Sequence, residues 1–235
     1  MARRRTLYVE TLIRADLDAV WRLTQEPHPH QRWDLRFTTI DYLPKESEDA
    51  EQHFRYAVRV LGLEVGGVGV SVGERVRPDG SRTSALRFSS ADPLSLIRGG
   101  AGYWRYVPTG DGVRFLTGYD YRPGWGRLGA IADLPFRRLM GWGTAWSFDR
   151  LRLWLERGVP PEVSFRRALA DAGTRLAVCA AAWATVPKPL AAAVTLGALL
   201  APPLPSTPAA RRCRRTPPDR RSSTAPPTLS TLEHP

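Results

Sequence analysis

The chain has 235 residues, 43% of them apolar and 24% charged, enough for one domain with an appendage and too ordinary for a wholly disordered, collagen-like or polytopic membrane protein. Two cysteines, Cys179 and Cys213, exclude a disulfide framework and a cysteine-rich zinc site. The net charge of +11 divides as +5 over residues 1–160, +2 over 161–205 and +4 over 206–235, nearly all of it arginine, so the part that should fold is mildly basic and nucleic acid is disfavoured as a partner.

No apolar run follows the basic start, because Glu10 and Arg14 interrupt it, so no secretory signal is read and a cytoplasmic location is expected. Residues 6–13 alternate as a strand, with Leu7, Val9, Thr11 and Ile13 on one face. Asp16 then reads as a helix cap before Leu17, Val20, Trp21 and Thr24 at helical spacing. Pro27 and Pro29 are expected to stop that helix and leave a polar turn carrying His28, His30, Arg32, Trp33 and Asp34.

Strand patterns follow at Phe37–Leu43, His53–Leu61, Leu63–Val76, Thr83–Ser89, Tyr103–Val107 and Val113–Tyr121, with an acidic loop (Glu46, Glu48, Asp49, Glu51) after the first. Gly66, Gly67, Gly69 and Gly73 suggest bends or bulges in the third of these. Turns this short imply antiparallel pairing. Residues 128–156 read as a long helix with a break near Pro135, stopped by Gly158 and the pair Pro160-Pro161. Residues 158–175 form a linker or helix. Residues 176–204 are Ala-rich and apolar, with Lys188 their single charge. Residues 205–235, rich in Pro, Arg, Ser and Thr, are expected to be disordered because they carry too little apolar surface to offset chain entropy.

Ile13-Arg14-Ala15 through Ala19-Val20-Trp21 resembles the I-x-A-x-x-x-x-V-W signature of the START-like or SRPBCC superfamily, which includes polyketide cyclase/dehydrase-like proteins. The Trp33 segment, the Gly110-Asp111-Gly112 turn between aromatic strands, and Phe148-Asp149-Arg150-Leu151 through Leu155-Glu156 support it over residues 5–157. The run from Arg138 to Arg150 resembles an actinobacterial subgroup, and Val186-Pro187-Lys188-Pro189 a shortened DoxX-like membrane segment. The resemblance implies an α+β helix-grip fold: a curved antiparallel sheet around a long C-terminal helix, with a cavity between them for a hydrophobic ligand.

Strand alternation gives that cavity a lining without the resemblance. Arg87, Arg105, Arg114 and Asp120 want water, so Tyr56, Phe88, Trp104, Tyr106, Phe115, Thr117 and Tyr119 face inward. Trp33 at the mouth, with Met140 and Thr144 on the facing helix, completes the set of candidate ligand-binding residues. An aromatic inner face with a few hydroxyls suits an aromatic or polycyclic small molecule, although the same residues also suit a packed core. The expected function is binding of such a molecule. The alternatives are a cyclase/dehydrase-like enzyme and a membrane-tethered adaptor with a packed domain.

No catalytic residue is assigned. His28, His30, Asp34 and His53 are the acid–base candidates, and Arg32, Trp33 and Asp34 read either as a polar gate or, the plainer reading, as a tie between the short helix and the sheet. His28-x-His30 has too few neighbouring ligands for a metal, and no dinucleotide or phosphate-binding fingerprint is found, so no cofactor is expected. The Pro-Lys-Pro break leaves two arms too short to span a bilayer, and arginines flank both ends (Arg166, Arg167, Arg175; Arg211, Arg212), so association with a membrane surface is expected through 176–204.

Overall fold

The computed structural model describes residues 6–45, 47, 50–60, 62–73 and 76–235. The acidic loop at Glu46, Glu48 and Asp49, the strand end at Leu61 and residues 74–75 lie outside them. Strand β1 (Leu7–Ile13) leads into helices α1 (Leu17–Gln25) and α2 (Pro27–Trp33). Six strands follow: β2 (Thr39–Tyr42), β3 (Gln52–Val60), β4 (Leu63–Val72), β5 (Arg82–Ser89), β6 (Ile97–Thr109) and β7 (Gly112–Pro123). Then come α3 (Gly126–Arg157), α4 (Pro161–Thr185) and α5 (Lys188–Leu200).

The seven strands make one antiparallel sheet in the order β1-β7-β6-β5-β4-β3-β2. Each hairpin neighbour pairs with the next, and β7 returns to β1, with Val9 opposite Thr117 and Ile13 opposite Val113. The curved sheet grips α3, which packs on β1 and β7. This is the expected α+β helix-grip arrangement.

The two prolines expected to end the first helix instead open a second. Pro27 occupies the first turn of α2, where a missing N–H leaves no bond unmade. Glu26 ends α1 by donating its N–H to the Arg22 carbonyl. Helix α3 is not broken at Pro135. That residue is exposed, so the Ile131 carbonyl it leaves without a helical donor lies on the water side. Gly158 ends α3 at φ 61°, donating to Trp154 while Val159 donates back to Leu153.

The core lies at the β1–β7–β6 end of the inner face. Val9, Ile13, Val20, Trp33, Trp104, Tyr106, Phe115, Phe148 and Leu151 pack there as one cluster. Phe115 stacks on Phe148 of α3 at 4.4 Å between ring centroids.

The C-terminal residues depart from expectation. The structure carries them across the outer face of the sheet through a 3-10 turn (Ala210–Arg212), α6 (Arg220–Ser223) and α7 (Thr228–Thr231). Arg214 forms a backbone bridge with Glu10, N–H to carbonyl in both directions. Leu232 packs on Val70 and Ala85. The buried Arg105 donates to the Arg221 and Thr224 carbonyls, and the Tyr103 hydroxyl to the Ser222 carbonyl. The composition of this segment cannot build a core of its own. It shares one with the apolar outer face, which sequence alternation assigns to water.

Candidate functional site

The inner face is divided along its length. At the β1–β7–β6 end the expected hollow is filled. Trp33, Trp104, Tyr106, Phe115, Thr117, Tyr119 and Thr144 are each 5% exposed or less. Their polar tips are satisfied by protein. Trp33 Nε1 donates to the Leu23 carbonyl, and Thr117 to the Tyr103 carbonyl. The Tyr106 hydroxyl meets Thr24 and Gln25. Tyr119 Oη and Thr144 Oγ1 lie 2.9 Å apart, and Thr144 donates on to the Met140 carbonyl. Seven of the ten candidate residues are therefore core.

The other three, Tyr56, Phe88 and Met140, lie half-buried beyond α3's contact with β1 and β7. Here strand register does something composition does not suggest. Phe54 stands opposite Gly69, Tyr56 opposite Gly67 and Phe88 opposite Gly100. With no side chain across from it, each ring lies down over its glycine. A Cβ on Gly69 would stand 2.2 Å from Phe54 Cζ, and one on Gly100 2.6 Å from Phe88 Cζ. These glycines are the bed for an aromatic floor, and they make no bulge; among the described residues the one register shift lies between Ile97 and Gly99. Phe37 meets Tyr56 edge-on at 5.8 Å, and Leu86 lies half-buried on the same face. A cleft of about 710 Å³ opens on the outer face instead, between Arg87, Ser89, Ala101, Asp120 and Arg122 of the sheet and the last residues of the chain, His234 and Pro235. A second cleft, of about 490 Å³, lies between Asp92–Ser95 and Trp125 at the start of α3.

One polar group joins the two halves. Arg36 donates from Nε and Nη2 to the two oxygens of Asp34, at 2.9 and 2.6 Å. Its guanidinium also sits 5.5 Å from the Tyr119 ring and 5.7 Å from that of Phe37. Asp34 is fully buried and accepts from His30 Nε2 at 3.2 Å. Because an ionised carboxylate only accepts, His30 carries its proton on Nε2. Burial alone would raise the Asp34 carboxyl, but the Arg36 charge and the bonds from His30 and Arg36 outweigh it and hold it well below the usual carboxylate range. Burial pushes His30 down in spite of Asp34.

His30 is thus no exposed turn residue: it is packed between Trp33, Phe37 and Trp104. His28 and His53 are exposed. The expected gate of Arg32, Trp33 and Asp34 does not come together. Arg32 pairs with Glu162 on the surface, Trp33 is core and Asp34 belongs to the buried cluster. Arg36 went unread because it lies in an irregular segment without periodicity, and Phe37 was read as the start of a strand that begins only at Thr39. The glycine–aromatic pairs were legible: a tight turn between β3 and β4 fixes Phe54 against Gly69.

No known protein-family profile matches the chain. A Bacillus subtilis (strain 168) protein, called uncharacterized membrane protein YndG, is 46% identical over 170 residues, which cover 71% of this chain and 63% of the relative. The chain thus spans less than two thirds of that relative's length. Two solved structures share the fold at a TM-score of 0.50. One is TTHA0849 from Thermus thermophilus, at 17% identity over 63% of this chain and 94% of that one. The other is a STAR-related lipid transfer protein fragment from Xanthomonas axonopodis, at 19% identity over 63% and 84%. The fold is therefore START-like. Neither the actinobacterial subgroup nor the DoxX-like segment finds support in these likenesses. Among the described residues no helix is long and apolar enough to cross a membrane.

Proposed function

We propose that the chain binds a hydrophobic, aromatic or polycyclic small molecule on the floor formed by Phe54, Tyr56 and Phe88. The observation that carries this is the set of rings laid over Gly69, Gly67 and Gly100, with Tyr56 and Phe88 half-buried and Phe54 buried beside them. Ring faces presented side by side suit a flat apolar ligand stacked on them. Arg36 stands at the inner end, where a polar group of the ligand would meet its guanidinium. The name of the Xanthomonas neighbour, a lipid transfer protein, agrees with an apolar cargo. Contact with a membrane surface through residues 176–204 belongs to the same reading, in line with the name of the Bacillus relative.

Native mass spectrometry of the full chain purified without detergent tests the proposal. A co-purifying small molecule, diminished in Tyr56→Ala and Phe88→Ala, is the expected result. Equal ligand loading in those variants would sink it. A cyclase/dehydrase-like activity is the second reading, supported by the buried His30–Asp34 pair behind Phe37. Turnover of a polyketide-like substrate that is lost in Asp34→Asn while binding persists would favour it.

A further inference from the structure

The outer side of α3 carries a feature that the grip of the sheet does not use. Asp133, Arg137 and Thr144 turn toward the sheet, Thr144 onto Tyr119 and Arg137 onto Asp120 and the Tyr121 ring. On the opposite side Leu128, Ile131, Leu139 and Trp142 recur at helical spacing, 71%, 73%, 60% and 45% exposed. The stripe does not stop at the end of this exposed stretch. Trp142 stacks on Trp146, and Trp146 meets Phe165 of α4 edge-on, each at 6.1 Å. Phe165, Leu169, Leu176 and Trp183 then follow at intervals of 4, 7 and 7 residues, one line along α4. All four are exposed, as are Leu190, Leu196, Leu199 and Leu200 of α5.

The hairpin of α4 and α5 also satisfies its own polar atoms. Trp183 Nε1 donates to Thr195 Oγ1 at 3.0 Å, Thr195 to the Ala191 carbonyl and Thr185 to the Ala181 carbonyl. Arg175 closes the base by donating to the carbonyls of Ala198, Ala201 and Pro202. A segment that enters an apolar medium needs this self-sufficiency, whereas one facing water does not. The charges beside the ridge are of one sign. Arg127, Arg138, Arg166 and Arg167 are exposed. The acidic side chains of these stretches, Asp133, Glu162 and Asp171, are held by Arg137, Arg32 and Arg175.

We propose that this ridge, from Leu128 on α3 to Trp183 on α4 together with α5, lies flat in the headgroup region of an anionic bilayer leaflet. Lying flat keeps Lys188, at the turn of the hairpin, and the flanking arginines at headgroup level. An upright arm would carry Lys188 into the hydrocarbon. Because α3 is the helix beside the aromatic floor, docking sets the ligand groove next to the lipid from which an apolar molecule partitions. That last step rests on the ligand-binding reading; the docking does not.

Co-sedimentation of the full chain with phosphatidylcholine vesicles, with and without phosphatidylglycerol, tests it. Binding is expected on the anionic vesicles and weakens as salt rises. Leu128→Glu with Ile131→Glu lowers the partition coefficient roughly tenfold. Arg166→Gln with Arg167→Gln lowers it about fivefold per arginine on anionic vesicles and leaves binding to neutral ones unchanged. All four positions are exposed, and an unchanged thermal melt confirms the fold. Failure to sediment with either vesicle, or wild-type binding by Leu128→Glu/Ile131→Glu, overturns the proposal. So does gel filtration showing a dimer that this double variant dissociates, since a second copy would then cover the ridge. Ligand uptake measured without vesicles, with Tyr56→Ala as control, reads the groove separately, so either claim can fail alone.

Discussion

His30 and Asp34, beside the permanently charged Arg36, are the residues whose protonation reports on the site. His30 is held below its ordinary value of 6.5 by burial, so the unfolded chain binds the extra proton first as pH falls. The stability His30 contributes is full above about pH 6.5 and is lost as pH falls toward its depressed folded value. Asp34 is also depressed, from an ordinary 3.8, so its contribution survives until far more acidic conditions. The melting temperature should therefore fall as pH drops below 6.5, and His30→Gln should flatten that fall. An unaltered slope in the variant would assign the acid sensitivity elsewhere. Gly69 gives a second prediction at this scale. Gly69→Ala places a methyl group where the Phe54 ring lies and lifts that ring off the sheet. Ligand affinity should drop several-fold, and the melting temperature should fall as well, because Phe54 is 8% exposed and the displaced ring must push on Tyr42 and Tyr56. Trp104→Ala should cost about 3–5 kcal/mol of stability, because Trp104 is 5% exposed within the core.

Among the elements, α3 carries the most connections. Its Asp149 carboxylate is fully buried and accepts from Arg152 Nε at 2.7 Å, Ala209 N at 2.7 Å and Arg212 Nη1 at 2.9 Å. Asp149→Ala leaves two arginines without their anion and should cost about 3 kcal/mol. Limited proteolysis should then cut residues 205–235 much faster than in the wild type. The next residue, Arg150, donates to the carbonyls of Arg32, Trp33 and Pro161 and so ties the end of α2 to the start of α4. Sequence periodicity identified all seven strands, α1 and α3, since apolar residues recur in each at the spacing of a strand or a helix. It missed α2, because Pro27 and Pro29 signal an end as readily as a beginning. It also placed Tyr106 and Phe115 beside Tyr56 and Phe88 as equals. Alternation reports which face a side chain points to and is silent on whether a helix lies over it. The contact of α3 with β1 and β7, together with that of α1 and α2 with Trp104 and Tyr106 of β6, separates the packed end from the half-buried one.

For the whole molecule, the outer face of the sheet depends on the C-terminal segment. Tyr8, Tyr103 and Leu116 form a buried apolar group there, with Val70 and Ala85 beside Leu232. A chain ending at residue 205 should melt lower than the full chain and should aggregate, with light scattering as the readout, because a contiguous apolar patch becomes wet. Reading disorder from composition failed for the same reason. A segment that cannot fold alone can still be ordered by a surface that needs covering. The anchoring by Asp149 and Arg150 has one more consequence. Arg150 holds the Pro161 carbonyl and Asp149 the Ala209 amide, so everything between leaves and re-enters the domain at two consecutive positions of one helix. In topological terms the helical arm is a cassette: beyond its first turns, where Glu162, Phe165 and Ala168 pack on the domain, it can lengthen or shorten while the grip stays as it is.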